Sequence, residues 1–424
     1  MLPRPSLLKG IYRSDVSIGR FLCVLVFSGV SFGLYKGIQD NYLAEIVHID
    51  AFERGIVEFF REIPGLLVVL ILAGMYRFTE SRIFKIGIAL MTAGLLGLLA
   101  AGTGKFIVVL FMVLFSTGEH IIMPVRTTLS LDLAEKNRGG ASLGITTALG
   151  QGGNIAGFLI VTAAFFIFSR MGPGIRTGGG GTARFKIIFA ISAALMTAAT
   201  LIVLALRESE LRVKRRRFYF ARKFSKYYML EVFYGARKQI FITFAPYVLI
   251  LNYGADTSVI SMLLALSAVF GAVISPFMGK LIDRVGYKII MVTDTLILIA
   301  VCFFYGFSHI IFPMRIAFYV VCVNYILDAI ISLASMASNV YVQDIASSQE
   351  EITATLSTGI SVNHVISIFI ALAGGLIWKL AGVELLFSLS AFLGLCNTLY
   401  AATIKPEKER LQAGIKQPIM EMKQ

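Results

Sequence analysis

Arg237, Lys238 and Gln239 stand deep inside a long apolar run of this 424-residue chain. Two adjacent cations there need countercharge, because a charged side chain at mid-bilayer costs at least about 2.5–3.5 kcal/mol. No acid lies one turn away on either side. Glu231, the nearest in sequence, falls toward the end of the run. Either acids from other runs neutralise both cations or an anionic guest does. Lys36 occupies a matching place in the first apolar run. An arginine fork and a lysine point charge facing one cavity would clamp a carboxylate or a phosphate ester. Asp40, one turn beyond Lys36, is either its private partner or the acid that takes it back when the guest leaves. Gln151 and Asn154 share a helical face with Thr147, and Asn363 stands beside Ser357 and Ser361. With Gln239 they are candidate hydrogen-bonding ligands for a polar substrate.

A second group could carry protons. Glu119 and Asp328 lie inside apolar runs, where a carboxyl withdrawn from water can exchange a proton near neutral pH. Asp40 and His364 are the other candidates. Arg126, two turns from Glu119, could instead close a structural ion pair with it. Asn324, Asp328, Ser332, Ser335 and Asn339 recur at helical spacing as one polar stripe. Glu58, Arg61 and Glu62 form a nearly balanced cluster that reads as self-paired or as an outer gate. The four histidines and four cysteines form no metal-binding or nucleophilic constellation, and the cysteines all sit in apolar runs. The glycine run 178–181 lacks the Lys-Ser/Thr of a phosphate loop and reads as a connector. No enzyme, cofactor or metal is expected.

These residues need a membrane scaffold to hold them. Hydrophobic residues make up 57% of the chain and charged residues 15%, against about 45–50% and about 25% in soluble proteins. Mean hydropathy is +0.79. Apolar runs of about 20 residues predict twelve spans, near 19–43, 53–75, 84–102, 105–128, 139–168, 185–206, 228–252, 257–279, 286–308, 312–341, 352–378 and 383–403. The net charge of +14 gathers in loops on one side, most densely in 207–226 (RESELRVKRRRFYFARKFSK). This is the positive-inside pattern and places both termini in the cytoplasm; it does not suggest nucleic-acid binding. The basic loop 169–186 breaks the pattern. Spans 3, 6 and 12 are almost free of ionisable groups at mid-depth, whereas spans 1, 2, 4, 7 and 10 contain most of the rest. Some helices therefore face lipid and others a watery cavity. Gly29, Gly33 and Gly37 make a small-residue ridge on span 1, suited to close helix contact.

The basic segment divides six spans from six, and the halves resemble each other. Phe32, Lys36 and Ala44 match Phe233, Arg237 and Ala245 in spacing, and Asp132 to Gln151 matches Asp344 to Asn363, nineteen residues apart in both. Parallel repeats of this kind suit secondary transporters. The expected division is an N-terminal six-helix bundle at 1–206, a basic linker at 207–227, a C-terminal bundle at 228–404 and a tail at 405–424.

Gly279, Leu281, Asp283, Arg284, Gly286 and Lys288 fall between spans 8 and 9 and follow G-x-L-x-D-R-x-G-x-K, which resembles the signature loop of the major facilitator superfamily. The first-half counterpart, GMYRFTESRIFK at 74–85, keeps only the glycine. Pro124, Asp132, Arg138-Gly139, Gly144, Gly150 and Gly157 resemble that superfamily's passage from span 4 to span 5. The resemblance covers essentially the whole chain. It implies an all-α membrane protein of twelve transmembrane helices in two pseudo-symmetric six-helix bundles, with the signature loop as a gating element; Arg126, Glu58 and Arg61 are gating candidates from their own charges and positions. Tyr234, Arg237-Lys238 and Pro246-Tyr247 further resemble the first-span pattern of the superfamily's organophosphate antiporters, here displaced to span 7. The expected function is secondary active transport of a small organic anion, coupled to protons or to a counter-anion, by a monomer in a bacterial inner membrane. The competing expectation is a proton-coupled exporter of amphipathic or cationic compounds.

Overall fold

A computed structural model describes residues 10–13, 16–170, 179–207 and 219–405. The densest part of the basic linker, the tail beyond 405 and the centre of the 169–186 loop lie outside the described residues.

The chain is built from helices. They are α1 (Val16–Asn41), α2 (Ala51–Gly74), α3 (Glu80–Ala100), α4 (Lys105–Asp132), α5 (Gly139–Arg170), α6 (Gly179–Leu204), α7 (Ser225–Tyr253), α8 (Thr257–Val285), α9 (Tyr287–Ile311), α10 (Met314–Ile331), α11 (Met336–Ile345) and α12 (Gln349–Ala402). Caps mark several starts. Thr79 Oγ1 accepts from the Arg82 amide ahead of α3, Asp256 Oδ1 accepts from the Val259 amide ahead of α8, and Ser348 Oγ accepts from the Glu351 amide in α12. Gly254 and Gly286, at φ 69° and 89°, turn the chain between α7 and α8 and between α8 and α9.

Nine helical stretches among the described residues are long and apolar enough to cross a membrane, with α10 and α11 counted together. The two predicted spans missing from that set are α2 and α7. The reason is compositional: α2 contains Glu53, Arg54, Glu58, Arg61 and Glu62, and α7 contains Lys226, Glu231, Arg237 and Lys238. The two spans expected at 352–378 and 383–403 form one 54-residue element, broken where Gly382 adopts φ 84° and ψ 173°. At 1.5 Å per residue it is about 80 Å long, enough for two passages through a core of about 30 Å. The span expected at 312–341 is interrupted by a 3₁₀ turn at Ser332–Ser335. The expected connector at 178–181 is shortened, because α6 already begins at Gly179.

The chain separates into two compact units. One comprises Met1–Asp50, Phe60–Arg215 and Gly254–Ala268; the other comprises Ala51–Phe59, Arg216–Tyr253 and Val269–Gln424. In the first, α1 packs on α5 and α6, and α3 packs on α4 and α6. The glycine ridge permits the closest of these contacts. A β-carbon on Gly29 would lie 2.7 Å from the Gly150 carbonyl oxygen, and one on Gly33 would collide with the carbonyl of Asn154. Ser31 and Ser192 exchange hydroxyl-to-carbonyl hydrogen bonds of 2.8 and 2.9 Å between α1 and α6. In the second unit α7 and α9 pack on α12, and α10 packs on α7 and α9.

Candidate functional site

The second unit holds the densest buried charge. Arg237 is 3% exposed at the middle of α7, and both terminal guanidinium nitrogens lack a hydrogen-bond partner among the described residues. Its Cζ lies 5.3 Å from the Tyr234 ring centroid, and Lys238 Nζ lies 5.9 Å from the same ring. Both cations thus lie near one aromatic ring.

The acids that α7 lacks next to Arg237 come from other helices. Asp294 of α9 and Asp328 of α10 both lie in electrostatic range of Arg237. The Thr295 hydroxyl donates to Asp294 Oδ1 at 3.3 Å. Glu231, expected near the membrane edge, is buried among the helices, at 8% exposure. Ser338 of α11 and Asn363 of α12 donate to its two carboxylate oxygens at 3.2 and 3.4 Å, and Lys238 is in electrostatic range. Helix packing thus brings acids that are distant in sequence within electrostatic range of both cations. Asn363, expected to bind substrate, holds Glu231.

A second charged knot lies at the start of α2, within the same unit. Arg54 Nη1 meets Glu58 Oε2 at 2.8 Å, one helical turn away, with the side chains 2% and 0% exposed. Gln239 Nε2 donates to Glu58 Oε1 at 3.1 Å and to Thr243 Oγ1 at 2.8 Å. Arg54 Cζ sits 5.5 Å from the Tyr247 ring centroid. Gln239 therefore anchors Glu58, and Arg54 joins the candidate gating residues. Its i,i+4 spacing to Glu58 was the available signal.

The signature loop behaves differently from its expected form. Gly279 and Asp283 line a cleft of about 250 Å³ with Ile282, Asn339 and Gln343. Asp283 and Arg284 are exposed, and Lys288 is half-buried. The latch here is Tyr287, whose hydroxyl donates to Asp344 Oδ2 at 2.6 Å. Asp344 was legible as the second-half partner of Asp132. His364 is half-buried on α12.

In the first unit Lys36 and Asp40 are half-buried on α1, and Lys36 Nζ lies 6.0 Å from the Tyr35 ring centroid. Glu119 is half-buried on α4, and its Oε2 is shut from solvent with no hydrogen-bond partner among the described residues. It closes no ion pair with Arg126, which is half-buried beside Gly150. Arg61 pairs with its neighbour Glu62, and its carbonyl accepts from Ser116 at 2.7 Å. Gln151 is exposed. Asn154, turned so that its amide is satisfied, donates to the Gly29 carbonyl at 2.9 Å and the Gly150 carbonyl at 3.2 Å, tying α5 to α1.

Sequence reading missed Asp294. Its signal was the one used for Asp328: a lone acid within an apolar run costs too much to stand unanswered.

Residues 227–422 match the family model of the Major Facilitator Superfamily. No curated relative matches the sequence significantly. Among solved structures, the chain resembles a nucleoside transporter, NupG, at TM-score 0.71 and 12% identity, over 92% of this chain and 100% of that one. It resembles a D-xylose-proton symporter at 0.70 and 14%, over 93% and 98%. A bacterial homologue of the human lysosomal transporter Spinster, inward-facing and occupied, is similar at 0.69 and 15%, over 92% and 96%. The second half of this multi-pass membrane protein thus matches the Major Facilitator Superfamily model, and the chain as a whole has the fold of these solved transporters.

Proposed function

We propose that this chain is a secondary active transporter that moves a small organic anion, a carboxylate or a phosphate ester, by alternating access and with protons. The observation that carries the reading is Arg237: a guanidinium buried in a span, with both forks of its planar head unbonded. Such a head is pre-shaped for two parallel hydrogen bonds to a carboxylate or phosphate. Asp328 tempers that charge, so an anion is held well only after a proton has neutralised the acid. Proton and anion then occupy the site together. Lys36, Lys238 and Gln151 are further substrate contacts in this reading, Glu119, Asp40 and His364 further proton carriers, and the signature loop, Glu58, Arg61 and Arg126 gates. The working form is a monomer in a bacterial inner membrane with both termini cytoplasmic.

A second reading has its own support. Every buried cation of the second unit has an acid within reach, so no guest is needed to balance it, and a neutral polar solute would serve. Solved relatives named for nucleosides and D-xylose fit that reading.

A thermal-shift screen of the purified chain separates the two. Organic phosphates, dicarboxylates and tricarboxylates, nucleosides and pentoses are each added from pH 5 to pH 8, since a ligand that binds the folded form raises its melting temperature by mass action. The anion reading expects stabilisation by one of the acids, strongest at low pH and lost in Arg237→Gln. Stabilisation by a nucleoside or pentose that survives Arg237→Gln overturns it.

A further inference from the structure

The segments that lead into α1 and α7 are each fastened to a connection further along their own unit. In the first unit, residues 10–13 lie against the turn between α4 and α5. The Arg13 amide donates to the Leu133 carbonyl at 3.1 Å and the Glu135 amide to the Ile11 carbonyl at 2.8 Å, so Tyr12 and Ala134 form a single antiparallel bridge. Tyr12 is 4% exposed, and its hydroxyl donates to the Ser142 carbonyl at 3.3 Å. At the same place the Ser130 and Ser142 hydroxyls, 2.8 Å apart, join α4 to α5.

In the second unit, residues 219–224 lie against the turn between α11 and α12. The Tyr219 hydroxyl donates to Glu351 Oε1 at 2.6 Å and Lys223 Nζ to Glu351 Oε2 at 2.7 Å, while Lys223 also donates to Ser347 Oγ at 3.1 Å. The Tyr219 amide donates to Thr358 Oγ1 at 3.0 Å, and Phe224 is fully buried in a cluster with Tyr341 and Val342 of α11. The two turns hold corresponding places in the repeats. Glu135 and Ser347 each stand three residues after the matched pair Asp132 and Asp344.

We infer that each unit is closed at this end by a detachable strap, with Tyr12 as the buckle of the first and the Tyr219–Lys223–Glu351 contact as the buckle of the second. Seated, the first strap ties the start of α1, the end of α4 and the start of α5 together. Lifted, it leaves the end of α4 to α3 and the serine pair. α1 contains Lys36 and α4 contains Glu119 and Arg126, so this strap decides whether those residues move together. Both straps are short and edged by exposed groups, Gly10 and Arg13 in one and Phe220 and Arg222 in the other. Segments with so few buried contacts open locally well before the fold does. The fastenings differ in kind. The first is made of neutral hydrogen bonds, whereas the second includes a partly exposed ion pair, which salt screens.

The test needs no transported solute and does not depend on the anion reading. Full-length protein in nanodiscs of phosphatidylcholine is followed by hydrogen–deuterium exchange and mass spectrometry. In the wild type the Arg13 and Glu135 amides should exchange together and faster than amides at the middle of α4. Exchange as slow as theirs would make the contact a permanent part of the fold and overturn the strap. Tyr12→Ala should speed the Glu135 amide about tenfold, the scale of one hydrogen bond, and leave the amide at 219 unchanged. An unmoved Glu135 amide refutes the role of Tyr12. If that variant does not yield folded protein, Arg13→Pro removes the exposed donor to Leu133 and is read in the same way. In the second unit Tyr219→Phe combined with Lys223→Met spares the Ser348 cap of α12 and should speed the amide at 219 about tenfold, with no change at Glu135. No change at 219 overturns the second buckle. Raising sodium chloride from about 0.1 M to about 1 M should speed the wild-type amide at 219 and leave Glu135 alone. An equal response at both places, or at neither, refutes the ionic fastening.

Discussion

α1 and α7 hold matching places in the two sequence repeats, yet they bury polar groups in different ways. α1 presents a ridge of glycines to α5, so close that backbone meets backbone, and its interior polar contacts are neutral hydroxyls such as Ser31 with Ser192. α7 has no such ridge. It buries Glu231, Arg237 and Gln239, with Lys238 half-buried, and Glu231 and Gln239 find hydrogen-bond partners on other helices. The first helix is built to stay in contact, whereas the second is built around charges whose partners are individually replaceable. Repeat symmetry therefore predicts where a cation sits but not how it is compensated.

The comparison breaks most visibly at Arg237. Arg237→Ala strands Asp294 and Asp328, and removing one partner from a buried ionic cluster costs about 3–5 kcal/mol. Uptake should be abolished, and the melting temperature in detergent should fall. Full stability in that variant would mean that the acids do not depend on Arg237. Next in size is the α2 knot. Glu58→Ala removes the carboxylate paired with buried Arg54 and should cost about 3 kcal/mol, while the double change Arg54→Met with Glu58→Leu should recover most of it. Chemical denaturation in mild detergent measures both, and no recovery in the double variant would place the loss in packing. Gly33→Ala tests the other helix. Its new methyl meets the Asn154 carbonyl, so α1 and α5 must separate at a cost of about 1–3 kcal/mol. The corresponding kind of change on α7, Gly235→Ala, meets the side chains of Ile366 and Asn363 and no backbone, and equal effects would erase the contrast. The smallest effect is expected at Tyr287→Phe, which removes the hydrogen bond to Asp344 for about 1 kcal/mol. Its readout is the rate at which a cysteine placed at 339 is alkylated, which should rise.

The helices were legible because an apolar run of about 20 residues has few alternatives in a bilayer. So was the special character of α2 and α7, from their charges. What the sequence could not supply was countercharge between helices. Glu231 looked peripheral when counted along α7, and only the approach of Ser338 and Asn363 explains its burial. Gln239, Asn154 and Asn363 looked like ligands because polar amides in a span need partners, and the partners are the protein's own carboxylates and carbonyls. Gly382 and the 3₁₀ turn at Ser332–Ser335 were invisible because backbone winding leaves little mark on hydropathy.

That turn has a mechanical consequence. A 3₁₀ residue advances about 120° around the axis and an α residue about 100°, with rises of about 2.0 and 1.5 Å. Rewinding the four residues Ser332–Ser335 as α-helix would spin α11 by about 80° and draw it in by about 2 Å. Such a twist swings Ser338 away from Glu231 and unhooks Asp344 from Tyr287 in one movement. Rewinding these four residues would thus release two separate catches together.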